Sequence, residues 1–169
     1  APEGSQRHSR TRQSGWRTYH RNRATSSDRL TGDGLTTLEG MAALRVVVAD
    51  DSVLLREGLV RVLTEAGVEI VGSYGDGDSV LTALLEIAPD LIVLDVRMPP
   101  TFRDEGVRAA IRARQILPGV GILLLSQYVE VAYARELLAE GSGGIGYLLK
   151  DRVASLEELQ DAIERIASG

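Results

Sequence analysis

Five short apolar runs, each followed by a stretch with helical spacing, constrain this chain more than any other feature. The runs lie at about 45–50, 69–74, 91–95, 120–125 and 145–149. They are continuous rather than alternating, the pattern of strands covered on both faces. The intervening spacing predicts helices at about 53–66, 78–88, 105–117, 129–140 and 155–167. The first has an inward stripe of Leu55, Leu59, Val62, Leu63 and Ala66, and Gly67 stops it. The second turns Val80, Leu81, Leu84, Leu85 and Ala88 inward before Pro89-Asp90 breaks it. Pro118-Gly119 ends the third and Gly141 the fourth, and the last presents Leu156, Leu159, Ile163 and Ile166. Strand–helix units in series, joined by right-handed crossovers, give an α/β fold with a doubly wound parallel sheet.

The polar information sits at the ends of the runs. In a parallel sheet the strand C-termini share one edge, and ligands bind there. The first run is Val46-Val47-Val48-Ala49 followed by Asp50-Asp51, and the third is Leu91-Ile92-Val93-Leu94-Asp95. The fourth, Gly121-Ile122-Leu123-Leu124-Leu125-Ser126, ends in a hydroxyl, and Gly146-Tyr147-Leu148-Leu149-Lys150-Asp151 ends in the only lysine among 18 arginines. Three carboxylates, a hydroxyl and an ammonium on one edge suit a phosphoryl group and a divalent metal.

Each of these residues also has a plainer reading. Asp51 or Ser52 can cap the next helix. Ser126 can simply end a strand, and Lys150 can be solvated or paired with Asp151. Asp95 shifts the balance, because it closes an otherwise wholly apolar strand. Three carboxylates held close together repel one another strongly. A hard cation with oxygen ligands relieves that repulsion. The exclusive use of arginine elsewhere further implies that position 150 wants a compact, rotatable ammonium.

Composition removes other chemistries. There is no cysteine, so disulfides, thiolate catalysis and cysteine zinc sites are excluded. His8 and His20 are the only histidines, so from Met41 onward neither Ser-His chemistry nor a histidine zinc site can be built. A metal held by oxygen alone points to magnesium, manganese or calcium. No segment approaches the roughly 18 apolar residues that span a bilayer. Length suits a single domain with a real core.

Residues 1–40 differ from the rest. They carry a net charge of +3, rich in Arg, Ser, Thr and Gly and without period, which leaves −8 for residues 41–169. The composition predicts a disordered extension. Met41 before Ala-Ala-Leu-Arg-Val reads as a natural start, with the preceding residues a leader that is not native. The other readings are an Arg-rich arm for nucleic acid or membrane, and a transit peptide. The acidic body is no nucleic-acid surface.

On these motifs, residues 41–169 resemble a response-regulator receiver domain, the chemotaxis-type phosphoacceptor module. The runs Asp95-Val96-Arg97-Met98-Pro99-Pro100 and Gly146-Tyr147-Leu148-Leu149-Lys150-Asp151 further resemble the NarL/FixJ subfamily, in which Asp commonly replaces the proline after the lysine. The resemblance implies a flavodoxin-like, CheY-like three-layer sandwich with strand order 2-1-3-4-5. It implies that Asp95 is the phosphoacceptor. Asp50, Asp51, Asp95 and the backbone carbonyl of Arg97 would hold Mg2+, or Mn2+ in its place. Lys150 would pair with the phosphoryl group, Ser126 would bond to it after transfer, and Tyr147 would be the aromatic that turns inward when Ser126 moves. Arg97 and Tyr128, two positions beyond Asp95 and Ser126, would shield the acyl phosphate and slow its hydrolysis.

The resemblance also implies a cytoplasmic signalling switch rather than an enzyme, one that catalyses only its own phosphorylation and dephosphorylation. Its donor would be a sensor histidine kinase. A homodimer through receiver helices is implied, with no membrane contact, and DNA reached only through a helix-turn-helix output domain outside this chain. The chain ends with its last helix, which reads as a transcriptional regulator cut short or a stand-alone receiver. Two other classes compete. A haloacid-dehalogenase-type phosphohydrolase also uses an aspartyl nucleophile, but in a strand-one Asp-x-Asp pattern, whereas Asp50-Asp51 are adjacent. A phosphorylation-independent receiver would act purely as an interaction module.

Overall fold

The computed structural model describes residues 43–129, 144–153 and 155–168. The extension over 1–40, the start at Met41, most of the helix expected at 129–140, its stop at Gly141 and the side chain of Leu156 lie outside the described residues. The elements are β1 Arg45–Ala49, α1 Val53–Glu65, β2 Glu69–Tyr74, α2 Gly77–Ile87, β3 Leu91–Asp95, α3 Glu105–Ile116, β4 Gly121–Ser126, β5 Ile145–Leu149 and α4 Leu156–Ser168. Each falls within about two residues of its sequence expectation, the ordinary uncertainty of an element end.

The strands form one parallel sheet in the order β2-β1-β3-β4-β5. Alternate side chains of each central strand enter opposite cores, which is why the strands read as unbroken apolar runs. Val47, Ala49, Ile92, Leu94, Ile122 and Leu124 pack with Val80 and Leu84 of α2 and Val107, Ala110 and Ala113 of α3. Val46, Val48, Leu91, Val93, Leu123 and Leu125 pack with Leu59 and Leu63 of α1 and Leu159, Ile163 and Ile166 of α4. Fully burying one such aliphatic side chain stabilises by about 1.5–3 kcal/mol.

The helix ends follow local chemistry. Ser52 caps α1 through its hydroxyl, which accepts from the Leu55 amide at 3.4 Å. Asp76 caps α2, its carboxylate accepting from the Ser79 amide at 2.7 Å. Gly67 takes φ +87° past the end of α1, and the Gly67 and Val68 amides return to Thr64 and Leu63, each at 3.0 Å.

One expected core position is wrong. Leu85 is 75% exposed, whereas Val80 and Leu84 are buried and Leu81 and Ala88 are half-buried. At roughly 100° per residue, Leu85 lies about 130° from the stripe centred on Val80, Leu84 and Ile87. α2 packs against α3 and β2, leaving that side uncovered by either.

Candidate functional site

The register of the sheet assembles the site. Ala49 lies opposite Leu94, so Asp50 emerges from β1 level with Asp95 on β3. These ends flank the point where the chain winds outward in both directions from β1, the topological switch point of an open α/β sheet. Asp95 pairs with Leu125, and Ser126 is the next residue; Ser126 pairs with Leu149, and Lys150 is the next. The Lys150 amide donates to the Ser126 carbonyl at 2.7 Å, which fixes the start of its side chain.

Asp50, Asp51 and Asp95 each offer a carboxylate oxygen, and these oxygens lie within 4.8 Å of one another. Asp50 and Asp95 are buried and Asp51 is exposed. The Lys150 ammonium sits 2.8 Å from Asp50 Oδ2 and 2.9 Å from Asp95 Oδ2. The plainer alternative, Lys150 solvated or paired with Asp151, thus gives way to two ion pairs inside the site. Asp50 Oδ1 accepts from the Ser52 amide at 2.9 Å, and Asp95 Oδ1 from the Arg97 amide at 3.3 Å. Because Ser52 supplies the α1 cap, the Asp51 carboxylate is left to the cluster.

Burial pushes the Asp95 carboxyl up to about 6, and the nearby Asp50 charge adds to this, while the hydrogen bond and charge of Lys150 pull it down. Burial works against the Lys150 ammonium, but hydrogen bonds and charge from Asp50 and Asp95 outweigh it and raise Lys150 above its ordinary value. A divalent ion fits this donor set. One ammonium is set against three acids, and every donor is a hard oxygen.

The switch candidates converge nearby. Ser126 is buried, and its hydroxyl donates to the Tyr128 carbonyl at 2.9 Å and accepts from the Tyr128 amide at 3.3 Å. Half-buried Tyr147 packs on the core shared with α2 and α3, and its hydroxyl donates to the same Tyr128 carbonyl at 2.5 Å. The Arg97 guanidinium lies 5.5 Å from the Tyr128 ring centre, a cation–π distance, so these two exposed side chains meet.

Sequence patterns gave no role to Gly106. A Cβ there would fall 1.8 Å from the Asp95 carbonyl oxygen, and the Gly106 amide donates to the Val96 carbonyl at 3.0 Å. This bare backbone lets α3 press against the end of β3. Glu105 was missed as well. Its carboxylate accepts from the Thr101 amide at 3.0 Å and the Arg103 amide at 2.8 Å, closing the loop after β3. A glycine second in a helix was the only local hint of either contact.

Comparison with known proteins matches the response regulator receiver domain over residues 46–164. The uncharacterized transcriptional regulatory protein YxjL of Bacillus subtilis is 36% identical over 127 residues, covering 75% of this chain and 55% of that protein. The transcriptional regulatory protein PdtaR of Mycobacterium tuberculosis is 36% identical over 135 residues, covering 79% of this chain and 61% of that protein. The chain thus spans little more than half the length of these relatives. Among solved structures, the signal receiver domain of NarL from Mycobacterium tuberculosis superposes with a TM-score of 0.65 at 36% identity, covering 75% of this chain and 98% of that one. Among the described residues, no helix is long and apolar enough to cross a membrane.

Proposed function

This chain belongs to the response regulator receiver domain family, and we propose that it accepts a phosphoryl group on Asp95 and converts it into a change of packing. The observation that carries this reading is the Lys150 ammonium held between the carboxylates of Asp50 and Asp95, with Asp51 completing the cluster. Mg2+, or Mn2+ in its place, held by Asp50, Asp51, Asp95 and the Arg97 carbonyl, would screen the carboxylates from the incoming phosphoryl oxygens.

The rest falls to the chain's own side chains. An Asp95 carboxylate oxygen attacks phosphorus, and the bond from phosphorus to the donor's imidazole nitrogen breaks with its electron pair leaving on the imidazole. Lys150 neutralises charge on the transferred group without reorganising, since it already lies at the attacking carboxylate. Ser126 then exchanges the Tyr128 carbonyl for a phosphoryl oxygen. That frees one lone pair at the acceptor it shares with Tyr147, and the tyrosine repacks. Arg97 and Tyr128, stacked on one another, restrict water at the acyl phosphate.

The donor in this reading is a sensor histidine kinase. Exposed apolar side chains at the sheet edge suit a protein partner: Leu54 beyond β1, Phe102 beyond β3, and Tyr128 and Val129 beyond β4. Output passes to DNA through a helix-turn-helix domain of the longer regulator and through a homodimer of receiver helices, in the cytoplasm. The test is acetyl phosphate with wild type and Asp95→Asn, followed by intact mass. One phosphate on the wild type and none on Asp95→Asn is expected. Donor turnover that persists in Asp95→Asn, or no phosphate on the wild type, overturns the reading.

A further inference from the structure

Asp50 is restrained at every polar atom. Its amide donates to the Tyr74 carbonyl at 3.1 Å, its Oδ1 accepts from the Ser52 amide at 2.9 Å, and its Oδ2 faces Lys150 at 2.8 Å. The remaining atom, its carbonyl oxygen, accepts from Arg56 Nη1 at 2.6 Å. We infer that Arg56 is the positioning residue of the acid cluster: by gripping the Asp50 carbonyl it sets the plane of the Asp50–Asp51 peptide, and so the direction in which Asp51 presents its carboxylate. This rests on the reading of the cluster as a divalent-cation site.

Local geometry explains how Arg56 reaches its target. Its amide donates to the Ser52 carbonyl at 2.9 Å, so it lies one turn inside α1. Helical side chains lean toward the N-terminus, which sends this long one back over the loop at residues 50–52. The guanidinium also lies beside Gly75 beyond β2, where a Cβ would stand in ordinary contact at 3.7 Å from Arg56 Nη1. Arg56 therefore spans α1, the end of β1 and the end of β2. The bond is charge-assisted and short, and Arg56 is half-buried, so the grip is stiff. Among the described residues Asp51 has no comparable restraint of its own: it is exposed, and Ser52 takes the cap.

Charge and position predict opposite signs, which makes the role testable. Deleting a cation beside three carboxylates should tighten binding of another cation. Deleting a residue that orients ligands should weaken it, by about 10-fold at the lower end of known outer-sphere effects. Mn2+ titration of the full chain by electron paramagnetic resonance, with no phosphodonor present, reads this directly. Arg56→Met is expected to bind Mn2+ about 10-fold more weakly than wild type. Arg56→Lys, which keeps the charge and the helix but loses the planar fork, is expected to fall between the two. Equal or tighter binding by Arg56→Met overturns the inference, as does full wild-type affinity in Arg56→Lys. If Arg56→Met unfolds in EDTA, the lysine variant decides alone. A wild type that takes up no Mn2+ overturns the cation-site reading itself, and this inference with it.

Discussion

The hydroxyls of Ser126 and Tyr147 meet at a single acceptor, the carbonyl oxygen of Tyr128, at 2.9 and 2.5 Å. A carbonyl has two lone pairs, and the two side chains occupy both. Neither can leave without changing the other's bond. Ser126→Ala, Tyr147→Phe and the double variant are therefore expected to be non-additive in urea unfolding, with a coupling of about 0.5–1 kcal/mol. Additivity to within about 0.3 kcal/mol would break the link.

The raised Asp95 carboxyl makes stability pH-dependent in the metal-free domain. Its ordinary value is 3.8 and its folded value is about 6, so the folded state binds more protons between them. Stability from this group is full below its ordinary value and is lost as pH rises through about 6. The whole shift corresponds to about 3 kcal/mol at most. Asp95→Asn removes the cost but also deprives Lys150 of a partner. In EDTA the variant is expected to exceed wild type by about 1–2 kcal/mol at pH 7.5, with the gain shrinking toward pH 4.5. Urea midpoints at the two pH values measure it, and an advantage that grew on acidification would contradict the assignment.

The Arg97–Tyr128 stack is expected to prolong the acyl phosphate. An exposed cation–π pair contributes about 0.5–1 kcal/mol, so opening it should speed decay by about two- to five-fold. Phospho-decay in Arg97→Asn and Tyr128→Ala is the measurement, and unchanged rates in both would sink the idea.

Gly106 admits no side chain without backbone movement, since the obstacle to a Cβ is the Asp95 carbonyl. Gly106→Ala is expected to destabilise by at least about 2 kcal/mol, by overpacking, despite alanine's better helix propensity. Thermal unfolding checks the sign. A neutral or stabilised variant would mean that α3 can slide away from β3.

The sheet and the polar groups along its C-terminal edge were legible because their signals are local. An apolar run closed by an acid, as at Leu94-Asp95, needs only its own neighbours to be read, and strand order then follows from family resemblance and handedness. Asp50, Asp51, Asp95 and Lys150 came together as expected because a parallel sheet must align its strand ends. Leu85 was misassigned because a periodic apolar residue is buried only where a neighbour covers it, and α2 packs on α3, β2 and β1 with Leu85 left 75% exposed.

What the sequence determined by itself was the alternation of elements and the chemical kind of group at each strand end, both properties of adjacent residues. The tertiary structure alone decided that Arg56 grips Asp50, that Gly106 clears Asp95, and that Ser126 and Tyr147 share one carbonyl. Those contacts join different elements, six residues apart for Arg56 and Asp50 and nineteen for Tyr147 and Tyr128, and their ångström-scale distances are set by register and helix docking, which residue type and spacing do not encode.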